Sequence, residues 1–295
     1  MARKLGIRLG ALLLGVVLAC IVAEVFVLVV YGEQAKFPRH VVEAEWGLRY
    51  NEPGARYRHK SADVNIRLRI NAQGMRADHD YSYSKPEGVK RIVSLGDSFT
   101  IGYEVDVEQC FSSVLERELD DAGIRVEVLN CGVSGFSNAE ECLYLERELM
   151  KYEPDLVLVS FFGNDLVDNV RTGLFRLADN ELVETKWRYV PAGRLGNFLN
   201  TNWFFNQLSA RSNAFVLIKE RLTSTIKRKM VEQNVDNLKA AGGKGAEDVA
   251  TTNRDSKLAG EDQKRLAAAI FTRIKSFLGE HGIPLVIHTI PARRG

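Results

Sequence analysis

Residues 9–31 are 23 consecutive positions of which only Gly10, Gly15 and Glu24 are not apolar. As a helix, such a run is long enough to cross roughly 30 Å of hydrocarbon. A helix that is apolar all round does not suit the surface of a soluble domain. Residues 1–31 are therefore expected to form an N-terminal transmembrane helix. Arg3, Lys4 and Arg8 precede the run, and the positive-inside bias places everything after Tyr31 across the membrane. A retained signal anchor is the leading reading, with the rest of the chain periplasmic or at the cell surface. A cleaved signal peptide or a lipoprotein box ending at Cys20 fits less well. No A-x-A site closes the run, and the residues after Cys20 stay largely apolar for ten more positions. Glu24 is expected near the outer interface or protonated.

Beyond the anchor, composition excludes several classes. The 295 residues carry 40 Lys+Arg against 38 Asp+Glu, a net charge of +2, so no bulk basic excess exists to hold a nucleic-acid backbone. Cysteines at 20, 110, 131 and 142 contain no C-x-x-C pair and are too few for a disulfide scaffold, although Cys110, Cys131 and Cys142 could include one disulfide. No metal and no cofactor are expected.

Residues 32–88 read as an extracytoplasmic stalk and lead-in. Pro38, Pro53 and Gly54 break periodicity over 32–65, a short strand pattern follows at 66–70, and 71–74 is a turn. Residues 89–295 read as one α/β domain. Strands are expected at 91–95, 125–130 and 155–161, with helices at 108–122 and 138–152 between them, an alternation that implies βαβ units and a parallel sheet with helices on both faces. An insertion at 170–260 interrupts it, with one or two helices over 203–237 and a flexible loop over 240–260. A helix at 261–278 and a buried strand at 284–290 follow.

The chemistry concentrates at three strand ends. The first strand empties into Gly96-Asp97-Ser98-Phe99-Thr100, presenting a hydroxyl where ligands bind in open α/β sheets. The second ends in Asn130-Cys131-Gly132-Val133-Ser134-Gly135, and the third in Gly163-Asn164-Asp165. A hydroxyl, a flexible backbone N–H and a carboxamide thus converge on one edge. That set can stabilise a tetrahedral acyl intermediate, and a phosphate or sugar site could use the same groups.

G-D-S-F-T, then N-x-G-V-x-G, then G-N-D, in order over about residues 91–169, resembles the SGNH/GDSL hydrolase superfamily. The lead-in at 71–76 and Lys85-Pro86 resemble its bacterial membrane-anchored members. The resemblance implies a three-layer α/β/α, flavodoxin-like fold with a parallel sheet and a serine ester hydrolase. Ser98 would be the nucleophile, and the Ser98 N–H, the Gly135 N–H and the Asn164 side chain the oxyanion hole. Gly96, Asp97, Gly163 and Asp165 belong to the motifs, the two aspartates as turn-stabilising residues. The implied partner is an acyl ester such as an acylated cell-surface glycan, and deacetylation is the expected reaction. An O-acyltransferase and a non-catalytic glycan-binding or structural membrane protein are the rivals.

The family's fourth block, D-x-x-H, carries the triad Asp and His and occurs nowhere in the 295 residues. The chain is expected to stop after the family's fourth strand, as an incomplete or degenerate member with little activity. Of the five histidines, His40, His59 and His79 are expected in solvent, His281 at a helix end, and His288 inside the last strand. Trp187, Trp203, Phe204 and Phe205 are expected as ordinary core or interface aromatics, and 227–229 as a solvated charged face.

Overall fold

The computed structural model describes residues 2–34, 40–60, 64–190, 198, 202–240 and 260–291. Helix α1 (Ala2–Tyr31) is continuous. Among the described residues, Lys4–Tyr31 is the one stretch long and apolar enough to cross a membrane by length and composition. Its apolar side chains lie open, Leu12 at 66% and Val22 at 67% exposure, whereas Val27 is buried.

Strands β1 (Val41–Glu43) and β2 (Arg49–Asn51) pair antiparallel, as do β3 (Arg56–Lys60) and β4 (Asn65–Arg69). The segment expected as a stalk is thus packed against the domain over 40–60 and 64–81. Leu48 and Met75 are fully buried in the main core. The Asn51 side chain donates to Gly74 O at 3.0 Å and Gly132 O at 2.9 Å. Strands of three to five residues carry too few positions for a periodic signal, and their partners are distant in sequence. His59, expected in solvent, is completely buried on β3, its ring edge-on to Tyr103 at 5.7 Å.

The central sheet contains β5 (Lys90–Leu95), β6 (Val126–Asn130), β7 (Leu156–Phe161) and β10 (Leu285–Thr289), all parallel, in the order β10-β7-β5-β6. Successive side chains of β5 serve opposite faces. Ile92 packs with Val126 and Val128 beneath α3 (Phe111–Asp121), through its Leu115 and Leu119. Val93 and Leu95 join the cluster containing Leu143 of α4 (Asn138–Arg147) and Ile270 and Ile274 of α8 (Glu261–Glu280). The result is the expected α/β class, with helices on both faces of a parallel sheet. At the sheet edge, Val286 and Ile287 of β10 are 44% and 47% exposed.

Ser137 and Glu140 form a capping box that starts α4, with Ser137 N donating to Glu140 Oε2 at 3.1 Å. The helix expected over 138–152 breaks after Arg147 into a 3-10 turn over Leu149–Tyr152. All four cysteines are free, and Cys110, Cys131 and Cys142 are buried.

After α5 (Asp165–Thr172), the insertion holds a hairpin, β8 (Phe175–Ala178) with β9 (Glu181–Glu184). Its two-residue turn uses Asp179 and Asn180, both with positive φ, the backbone that a twist-matched turn requires. Helices α6 (Trp203–Arg211) and α7 (Asn213–Ala240) follow. Residues 241–259, most of the expected loop, lie outside the described residues. Trp187, Trp203 and Phe204 are more than half exposed rather than in a core.

The first turn of α7 meets the membrane-type helix. Glu24 accepts hydrogen bonds from Ser212 Oγ at 2.8 Å, Asn213 N at 2.6 Å, Asn213 Nδ2 at 2.8 Å and Ala214 N at 3.1 Å. Gln34 N donates to Asn213 Oδ1 at 2.9 Å. The carboxylate satisfies backbone donors that no α-helix can satisfy internally.

Candidate active site

The chain runs from β5 to β6 on one side and then crosses to β7 on the other, so the carboxyl end of β5 is a topological switch point, the position at which open α/β sheets bind ligands. The short helix α2 (Ser98–Ile101) starts there, placing Ser98 half-exposed at its first position. Asp97 caps it, its Oδ1 accepting from Phe99 N at 2.9 Å. The turn is sterically specified. A Cβ on Gly96 would lie 1.9 Å from Thr100 Oγ1, and one on Gly132 would lie 2.4 Å from Ile101 N. Glycine at 132 therefore lets the loop after β6 press directly against α2.

Gly135 closes that loop with φ of 74°, a left-handed conformation that glycine adopts without penalty. Two guanidiniums hold its carbonyl, Arg49 Nη2 donating at 2.6 Å and Arg171 Nη2 at 3.0 Å. Arg49 also donates to the fully buried Glu140 at 3.3 Å. No motif marks these arginines. Arg49 lies 86 residues before its acceptor, and only tertiary folding brings it there. Among the described residues, neither the Ser98 N–H nor the Gly135 N–H is donated to a backbone carbonyl.

Asn164 occupies the N-cap position of α5 without a side-chain capping bond and is exposed. Its side-chain Nδ2 donates to Asp168 Oδ2 at 3.4 Å. Asn164 follows β7, the strand that neighbours β5 in the sheet, so the turns carrying Asn164 and Ser98 leave adjacent strand ends. The rings of Phe99 and Phe162 meet at 4.7 Å across the same edge. Gly163 lies between Phe162 and Asn164, and Asp165 Oδ2 accepts from Phe162 N at 2.9 Å, closing the turn after β7.

Behind the turns lies a buried acidic group. Burial pushes the Asp97 carboxyl up, with the Asp168 charge adding to it. Asp165 is pushed up to about 8, chiefly by burial, with Asp97 and Asp168 nearby. Glu141 is raised well above the carboxylate range by complete burial and then by Asp165. Asn138 Nδ2 bridges the pair, 3.0 Å from Glu141 Oε2 and 3.4 Å from Asp165 Oδ2. Carboxyls whose pKa is raised in this way carry less negative charge behind the turns.

Among the described residues, no histidine hydrogen-bonds Ser98. His288 on β10 is level with Ser160 of β7, and Leu95 of β5 is level with Val159. His288 therefore stands two strands from β5, about 10 Å at the usual strand spacing. Its ring meets Phe111 at 6.0 Å. His281 closes α8, its Nδ1 2.8 Å from Phe277 O. No group of acidic, His and Cys side chains that could hold a metal occurs among the described residues. Two clefts of about 560 and 650 Å³ have linings that include none of Ser98, Gly135 and Asn164.

No family model matches the chain. It is 33% identical over 76 residues to an arylesterase from Vibrio mimicus, a match covering 26% of this chain and only 38% of that protein. Among solved structures, it is similar to AlinE4, an SGNH-hydrolase family esterase, at 18% identity over 69% of this chain and 77% of that chain, TM-score 0.30. It is also similar to the lipase/acylhydrolase from Enterococcus faecalis, at 16% identity over 67% and 75%, TM-score 0.27.

Proposed function

We propose that this chain is a membrane-anchored serine ester hydrolase of the SGNH/GDSL type. The observation carrying the proposal is the meeting of three strand ends around one hydroxyl. Ser98 sits at the switch point after β5, Gly135 is held by Arg49 and Arg171 in the loop after β6, and Asn164 follows the neighbouring strand β7. Ser98 Oγ would attack the acyl carbonyl. The Ser98 N–H, the Gly135 N–H and the Asn164 carboxamide would receive the oxyanion. Its collapse would break the ester C–O bond and release the alcohol with the serine's proton, and water would hydrolyse the acyl-serine to the acid and free Ser98. Ser98 is half-exposed and Asn164 exposed, an open edge that suits a small acyl group on a bulky acceptor, such as an O-acetylated surface glycan. The similarity to an arylesterase fits ester chemistry in general.

The anchor is part of the proposal. The Glu24 contact with α7 supports a retained helix, because it fastens α1 to residues almost 190 positions away. The domain would then lie on the extracytoplasmic side. A second reading, a glycan-binding membrane protein without catalysis, is favoured by the observation that, among the described residues, no histidine hydrogen-bonds Ser98.

The test is turnover of p-nitrophenyl acetate by the natural gene product in its membranes. Ser98→Ala should lower the rate by about a thousandfold or more if Ser98 is an activated nucleophile. Turnover indifferent to Ser98→Ala refutes the serine assignment. No turnover, with acetylated-glycan binding that survives Ser98→Ala, establishes the second reading.

A further inference from the structure

Glu24 sets a depth. It lies seven residues before Tyr31, the last residue of α1, so a helix rise places it about 10 Å back along the axis from that end. If α1 spans a bilayer, as proposed above, the first turn of α7 is held at that depth by the Glu24 hydrogen bonds. The α6–α7 corner cannot then stand clear of the lipid.

The surface of the corner matches that position. On α7, Ile218, Leu222 and Ile226 recur every four residues, which puts them on one face, and each is more than half exposed. At the start of α6, Trp203 and Phe204 are 73% and 56% exposed. Residues 213–229 hold five Lys or Arg against the single acid Glu220. Exposed aromatic and aliphatic side chains with adjoining cations are the composition of a helix lying in the headgroup boundary. The underside of the hairpin is bound to the protein. Val216 is buried, Phe205 stacks on Phe215 at 6.3 Å, and α7 packs on α5, the helix that begins directly after Asn164.

We propose that the α6–α7 hairpin is a membrane-docking paddle. It inserts Trp203, Phe204 and the Ile218–Leu222–Ile226 face into the phospholipid boundary of the leaflet at the Tyr31 end of α1. The inference rests on the anchor reading but not on esterase chemistry. It would hold the Ser98 edge at a fixed height against the membrane.

The test uses the full chain in vesicles of phosphatidylethanolamine and phosphatidylglycerol, with a fraction of the acyl chains brominated. Of the three tryptophans, Trp46 packs against Tyr144 and Trp187 lies over Arg147, leaving Trp203 as the reporter of the hairpin. Brominated chains are expected to quench the emission, and most of that quenching is lost in Trp203→Phe. The double variant Ile218→Glu, Leu222→Glu is expected still to float with the vesicles while losing Trp203 quenching. Chains that float but show equal quenching with and without Trp203 overturn the paddle and leave the anchor standing. Failure of the native chain to float overturns both.

Discussion

Asp165→Asn isolates the buried acidic group behind the candidate site. Asp165 is 1% exposed, and its Oδ1, like Oε1 of the fully buried Glu141, has no hydrogen-bond partner. Its folded pKa is raised to about 8, whereas an unfolded Asp titrates near about 3.9. Between those values the folded chain binds a proton that the unfolded chain does not, so stability falls as pH rises through the window. Each retained proton is worth about 1.4 kcal/mol per pH unit, or at most about 2.7 kcal/mol between about pH 5 and pH 7. Asparagine cannot ionise, and its amide oxygen can still accept from Phe162 N. The variant should therefore lose this slope while Glu141 keeps its own. Scanning fluorimetry of the detergent-solubilised full chain reads the result. The Tm of the variant should gain on the wild type by about 5–10 °C between those pH values, at about 2–4 °C per kcal/mol for a chain of this size. Parallel Tm curves for the two proteins would show that Asp165 is ionised in the fold and that the argument fails.

Two further substitutions test the packing that builds the edge. Gly132→Ala drives a Cβ to 2.4 Å from the Ile101 backbone nitrogen and should cost about 3 kcal/mol in denaturant unfolding. Gly279→Ala, with nothing within 4 Å, should instead be neutral or stabilise by about 0.5 kcal/mol. Equal effects would mean that the approach of the β6 loop to α2 is not tight. Arg49→Met removes one of two guanidiniums facing the buried Glu140 and should destabilise by about 2–3 kcal/mol, with Arg49→Lys recovering only part. A loss within error of zero would remove Arg49 from the account of how Gly135 is held.

Much of the scaffold was legible because its signals are local. The mostly apolar segments 92–95 and 156–161, each interrupted by a single serine, read as buried central strands, and the motifs after β5, β6 and β7 sit where those strands stop. The Asp179-Asn180 turn was readable in principle, but it went unread because β8 and β9 are only four residues each. His59 was misplaced for a similar reason. The strand Arg-Tyr-Arg-His-Lys looks solvated, yet its histidine is covered by the layer over Tyr103 and Leu68.

What the sequence alone determined is the apolar helix, the parallel α/β order and the three strand ends carrying Ser98, Gly135 and Asn164. Each follows from residues within a few positions of one another. Only the tertiary structure decided that residues 40–60 and 64–81 pack onto the domain, that Arg49 and Arg171 clamp Gly135, that Asp165 and Glu141 share one buried space, and that Glu24 caps α7. Those arrangements join residues dozens to almost two hundred positions apart. Their energy comes from burial and from the pairing of polar groups, and neither exists until the chain has closed around them.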